Sequence, residues 1–142
     1  MGDILMEKEI SDIKGFVFGG KALFTIKNES TGNRFTFRVV RLKDETKNVY
    51  FVNVLRGPDN TKDYMYIGAV INGKFKHTTK SQVTEKAQSF QVFDWMVKKI
   101  NNGGLPDKVK VYHHGRCGKC SKLLTVPESV LSGFGPECRK YL

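Results

Sequence analysis

No apolar run in the chain approaches the roughly 20 residues that a membrane-spanning helix needs. Residues 1–14 carry mixed charge and lack the apolar stretch of a secretory leader. The chain therefore reads as a soluble, cytosolic protein with no membrane partner. Cysteine is scarce, three in 142 residues. An odd count does not make a disulfide framework and fits a reducing compartment, where clustered thiols more often hold a metal. Acidic residues are the minority, 14 against 24 basic, for a net charge of +10. There is no Gly-rich phosphate loop, no Ser/His/Asp set with a local signature and no paired-carboxylate motif. The expectation is a protein that is not an enzyme. Internal repeats and low-complexity tracts are absent too.

What is present is enough for a core. Hydrophobic residues make up 39% and aromatics 11%, and a charged fraction of 27% argues against wholesale disorder. The length suits one domain, or one domain plus a small metal-held appendage. Residues 1–105 carry 17 basic and 11 acidic side chains, a net of +6, and residues 106–142 carry 7 and 3, a net of +4. The tail is the denser basic segment. Such a balance suggests a polyanionic partner, nucleic acid above all, or an acidic protein surface.

From Gly15 onward the pattern predicts strands. In residues 34–41, Phe35, Phe37 and Val39 alternate with Arg34, Thr36, Arg38 and Val40. A hairpin over about 22–41 follows, with turn formers at 28–33. Residues 49–55 and 64–71 are rich in β-branched and aromatic side chains, and Gly68 suggests a bulge. Asn72-Gly73 is a two-residue hairpin turn. The period then changes. Thr79-Lys80-Ser81-Gln82 matches a capping box. Val83, Ala87, Phe90, Phe93, Val97 and Ile100 recur at helical spacing up to Asn102-Gly103-Gly104. One long helix over 79–102 is expected to cover the sheet. Residues 108–113 alternate as a further short strand.

The tail holds all three cysteines, Cys117, Cys120 and Cys138, and two of the three histidines. Cys117 and Cys120 have the two-residue spacer that aims both sulfurs at one ion from a tight turn. Cys138 follows Gly135-Pro136, a helix-start signal, where free amides favour a thiolate. Val109, Val111 and His113 share one strand face, while Tyr112 and His114 share the other. If the valines face the core, His113 is the fourth ligand, with His114 as its substitute. Four protein ligands fill a tetrahedron and leave no place for a catalytic water, so one structural Zn²⁺ is expected. Thr125-Val126-Pro127-Glu128 reads as a second capping box ahead of a short helix.

The run His113-His114-Gly115-Arg116-Cys117-Gly118-Lys119-Cys120, then Leu124-Thr125-Val126-Pro127-Glu128-Ser129, then Gly133-Phe134-Gly135-Pro136-Glu137-Cys138, resembles a small zinc-binding domain of unknown function. That domain is widespread in bacteriophage and prophage proteins. The resemblance is strong over residues 113–138 and loose elsewhere. It implies His113, Cys117, Cys120 and Cys138 as ligands, a phage or prophage origin and a bacterial host cytosol. It brings no established activity. Ser121-Lys122 departs from the family pattern, away from the ligands.

The expected architecture is α+β. An antiparallel β-meander covered by one long helix occupies 1–105, and a C-terminal treble-clef-like zinc module occupies 106–142. Arg116, Lys119, Lys122, Arg139 and Lys140 surround the expected metal, and Arg34, Arg38 and Arg41 lie on the hairpin. Together with Tyr64 and Tyr66 they are candidates for neutralising phosphates and stacking on bases. The expected function is a zinc-stabilised, non-enzymatic protein binding nucleic acid. The alternative is an inhibitor or adaptor that binds a host defence or replication protein. His77 reads as an exposed, unremarkable histidine.

Overall fold

The computed structural model describes residues 8–10, 12–44, 46–57, 62–114 and 116–119. Among the described residues, seven strands form one antiparallel sheet: β1 (Lys8–Glu9), β2 (Lys21–Asn28), β3 (Arg34–Arg41), β4 (Val49–Leu55), β5 (Tyr64–Ile71), β6 (Lys74–Lys76) and β7 (Val109–His113). Their spatial order is β1-β7-β2-β3-β4-β5-β6, and the sheet curls into a half-barrel. Helix α1 spans Ile13–Val17 and helix α2 spans Gln88–Asn101.

Period-2 patterning decides the faces. Phe24 of β2 lies opposite Phe37 of β3, which lies opposite Val54 of β4, and all three are buried. Phe90, Phe93, Met96 and Val97 of α2 are buried too. The Phe93 ring packs edge-on against Phe37 at 5.1 Å and against Phe75 at 4.7 Å. Each fully buried aromatic of this kind is worth about 1.5–3 kcal/mol of transfer free energy. Asp12 starts α1 by accepting the Gly15 N–H at 3.1 Å, and α1 buries Phe16 and Val17.

The Asn72-Gly73 turn forms as the sequence suggests, with φ of +50° and +83°. The β4–β5 register shifts between Val52 and Asn53, which leaves Ile67 without a counterpart beside Gly68. A Cβ on Gly68 would stand 2.6 Å from the Lys76 carbonyl oxygen and 2.9 Å from the Phe75 ring. Gly68→Ala is therefore expected to destabilise by about 1–3 kcal/mol in urea unfolding. An unchanged midpoint would show that β6 yields at no cost.

Two parts of the expected architecture are corrected. The helix over 79–102 is a 14-residue helix, Gln88–Asn101. Thr79 caps nothing among the described residues. Instead the Gln82 N–H donates to the Tyr66 carbonyl at 2.9 Å, and the Gln82 Oε1 accepts the Tyr66 N–H at 3.2 Å. Gln82 thus continues the β5 ladder where β6 has ended, and residues before Ala87 are held as turns rather than as helix. The C-terminal treble-clef-like zinc module is the second correction. Its expected first strand is β7, an interior strand of the main sheet between β1 and β2. Val109 and Val111 pair with Asn28 and Ile26 and find their burial in the main core. Among the described residues, no group of three or more His, Cys, Asp or Glu side chains is placed to hold a metal. Cys120 and Cys138 lie outside the described residues.

Candidate functional site

The even positions of β3 place Arg34, Thr36 and Arg38 on the sheet face opposite Phe37 and Val39. Register carries this face across the sheet. Arg38 lies opposite Asn53, Asn53 opposite Tyr66, and Leu55 opposite Tyr64. The bulge at Ile67 keeps Tyr64 and Tyr66 on this side while Val70 turns to the core. Aromatic and basic side chains are thereby interleaved on the face that α2 does not cover.

The closest contact there is a cation over a ring. The Arg38 guanidinium carbon lies 3.8 Å from the Tyr64 ring centroid. The guanidinium lies over the ring face, and the Tyr64 hydroxyl oxygen is buried. Burial pushes the Tyr64 phenol above its ordinary pKa, and the neighbouring Arg38 offsets part of that rise. Phe51 stands edge-on to Tyr66 at 6.2 Å and is 36% exposed. Nearer β7 the face is polar. The Thr25 Oγ1 is 2.6 Å from the Thr36 Oγ1 and 2.8 Å from the His114 Nε2. Carboxylates temper the charge at that end, with Lys110 3.4 Å from Glu9 and the Tyr112 hydroxyl donating to Glu29 at 2.7 Å.

The eight basic candidates divide. Arg34 and Arg38 share this face. Arg41 has the parity of Phe37 and Val39 and turns the other way, where it donates to the Tyr50 hydroxyl at 2.9 Å. Arg116 and Lys119 are exposed on the segment after β7. That segment is tied to the start of β2 by the Lys21 N–H, which donates to the Gly118 carbonyl at 2.9 Å. Lys122, Arg139 and Lys140 lie outside the described residues.

The two histidines also divide. His113 is fully buried, 5.8 Å from the Phe16 ring between centroids. His114 points to the opposite face, onto Thr25. Cys117 is fully buried, and the Lys119 N–H donates to its sulfur at 3.4 Å. An amide directed at the first sulfur of a Cys-x₂-Cys turn suits a thiolate. His77 is exposed and its Nε2–H donates to the Val83 carbonyl at 2.7 Å.

Residues 109–142 match a family of unknown function, DUF6011. The match starts at the first residue of β7 and covers about a quarter of the chain. No curated protein and no solved structure matches. Among the described residues no helix is long and apolar enough to cross a membrane.

Sequence reasoning missed three features near this face. Phe51 was legible from the alternation of β4, in which Tyr50, Val52 and Val54 are buried. Arg56 follows β4 directly, but nothing in one dimension connects it to Arg34. The first turn of α2, at Ala87, Gln88 and Ser89, was hidden by the capping-box match eight residues earlier.

Proposed function

We propose that the chain is a non-enzymatic binding protein that holds single-stranded nucleic acid on the sheet face opposite α2. The observation that carries this reading is the Arg38–Tyr64 stack at 3.8 Å, set among Arg34, Tyr66 and Phe51. Arginines on such a face neutralise phosphates, and exposed ring faces stack on bases without demanding a sequence. The net charge of +10 adds long-range attraction for a polyanion. A phage or prophage protein working in a bacterial cytosol is consistent with the resemblance of the tail, and this origin belongs to the proposal.

One zinc ion forms part of the same reading, with His113, Cys117, Cys120 and Cys138 as ligands. Two observations support it. His113 and Cys117 are both fully buried, and the Lys119 amide is directed at the Cys117 sulfur. The ion would fix the segment after β7 against the start of β2.

Fluorescence anisotropy with labelled single- and double-stranded DNA and with RNA, titrated with salt, tests the binding. Single strands are expected to bind more tightly, with affinity falling steeply as salt rises. Arg38→Ala is expected to weaken binding about tenfold and to reduce the salt slope by about one. No binding at low ionic strength would overturn the proposal. A second reading is a protein partner, as for an inhibitor or adaptor of a host protein. It is favoured by Phe51, the exposed large hydrophobic side chain among the described residues.

A further inference from the structure

Helix α2 begins without a cap. Its N-cap residue is Ala87, with φ −63° and ψ 140°, and no side chain bonds the first-turn amides. The first turn contains no acidic residue. The N–H groups of Gln88, Ser89 and Phe90 have no intrahelical acceptor, and no hydrogen bond reaches them among the described residues. Among the described residues, neither a cap nor a first-turn carboxylate answers the partial positive charge of this 14-residue helix.

A second, independent feature lies at the same place. Ser89 is 4% exposed, and its hydroxyl has no hydrogen-bond partner. A buried, unsatisfied hydroxyl in a native fold calls for a partner. Ser89 and the first turn line a cleft of about 550 Å³ between α2 and the adjoining ends of β3 and β4. Arg34 and Arg56 line the same cleft. The Asp63 carboxylate lies against the α-carbon of Gly57 and brings negative charge to that wall.

We propose that this cleft binds a phosphoryl group. Backbone amides, a hydroxyl and two guanidinium groups around one cavity offer more donors than a carboxylate can accept, and guanidinium geometry matches a tetrahedral oxyanion. Arg34 belongs both to this cleft and to the Arg38–Tyr64 face. The phosphate is thus presented by a nucleic-acid strand that crosses the face and ends, or turns, at the α2 N-terminus. The source of the phosphate rests on the nucleic-acid reading; the chemistry of the cleft does not.

The test uses the full chain in two measurements. In the first, thermal unfolding is followed in sodium phosphate and in sodium chloride at matched ionic strength. The native chain is compared with Ala87→Asp and Arg56→Gln. Phosphate is expected to raise the Tm of the native chain above its value in chloride. Ala87→Asp supplies a side-chain cap and fills the anion position, so it is expected to hold its Tm in chloride and to lose the phosphate increment. Arg56→Gln, at an exposed position, keeps the comparison available if Ala87→Asp folds poorly; it is expected to weaken phosphate affinity about tenfold. Phosphate that protects no better than chloride, or protects both variants as well as the native chain, overturns the proposal. The second measurement compares oligothymidylate with and without a 5′-phosphate. Inorganic phosphate binding with no oligonucleotide binding supports the cleft and sinks the nucleic-acid reading. Oligonucleotide binding that neither variant weakens sinks the cleft and leaves that reading standing.

Discussion

Phe93→Ala is expected to lower the unfolding free energy by about 3–5 kcal/mol. The ring is fully buried and reaches two strands that are not neighbours, β3 through Phe37 and β6 through Phe75. Its removal opens a void whose walls belong to the helix and to both strands. Such a void cannot collapse by the movement of one element, so the cavity cost adds to the lost transfer energy. Domains of this size hold only about 5–15 kcal/mol in total, so the variant forfeits a large share. Urea unfolding at 25 °C measures the loss. Gln91→Ala, on the exposed side of the same helix, is the control and is expected to stay within about 0.5 kcal/mol. A Phe93→Ala loss under about 1 kcal/mol would mean that α2 is not anchored to the sheet through this ring.

The second large effect concerns the paired histidines. His113→Ala is expected to take zinc from one ion per chain to nearly none, while His114→Ala keeps it. His113 is buried on the core face of β7, and His114 is committed to Thr25 at 2.8 Å on the other face. His114→Ala loses the hydrogen bond to Thr25, worth about 0.5–1.5 kcal/mol. Metal content of protein purified without chelator, with unfolding measured on the same samples, checks both variants. Equal zinc loss in the two would break the face argument. A native chain purified with far less than one zinc would remove the metal from the proposal altogether.

Local alternation made the strands and their inward residues legible. Phe35, Phe37 and Val39 against Arg34, Thr36 and Arg38 needs only the two-residue period of a strand. The inward orientation of His113 follows from Val109 and Val111 by the same rule, and its full burial agrees. Partnership was not legible. His113 pairs with Phe24, far away in sequence, and no local pattern states that β7 enters the sheet beside β2. For that reason β7 read as the start of a separate module. The α2 start failed differently. Thr79-Lys80-Ser81-Gln82 has the residue types of a capping box, but Gln82 answers to Tyr66 across the sheet. The tertiary contact formed in place of the local cap. Arg41 shows the limit of grouping by composition, since its parity sets it apart from Arg34 and Arg38. The phosphoryl cleft joins residues from β3, the end of β4 and the first turn of α2, and only the folded chain brings them together.

The reciprocal pairing of Gln82 with Tyr66 also bears on how the protein behaves among copies of itself. An unpaired stretch of β5 beyond β6 would offer bare amides and carbonyls to any passing strand. Gln82 occupies one such position with its own main chain and side chain. Beside it, β6 is only three residues long and carries Lys74 and Lys76, both exposed. At the far margin β1 has two residues. A sheet whose β6 border is brief and charged gives a neighbouring chain little template to extend there. Gln82→Ala would keep the main-chain bond but take away the acceptor of the Tyr66 N–H, and its consequence would be read as aggregation on standing rather than as lost binding.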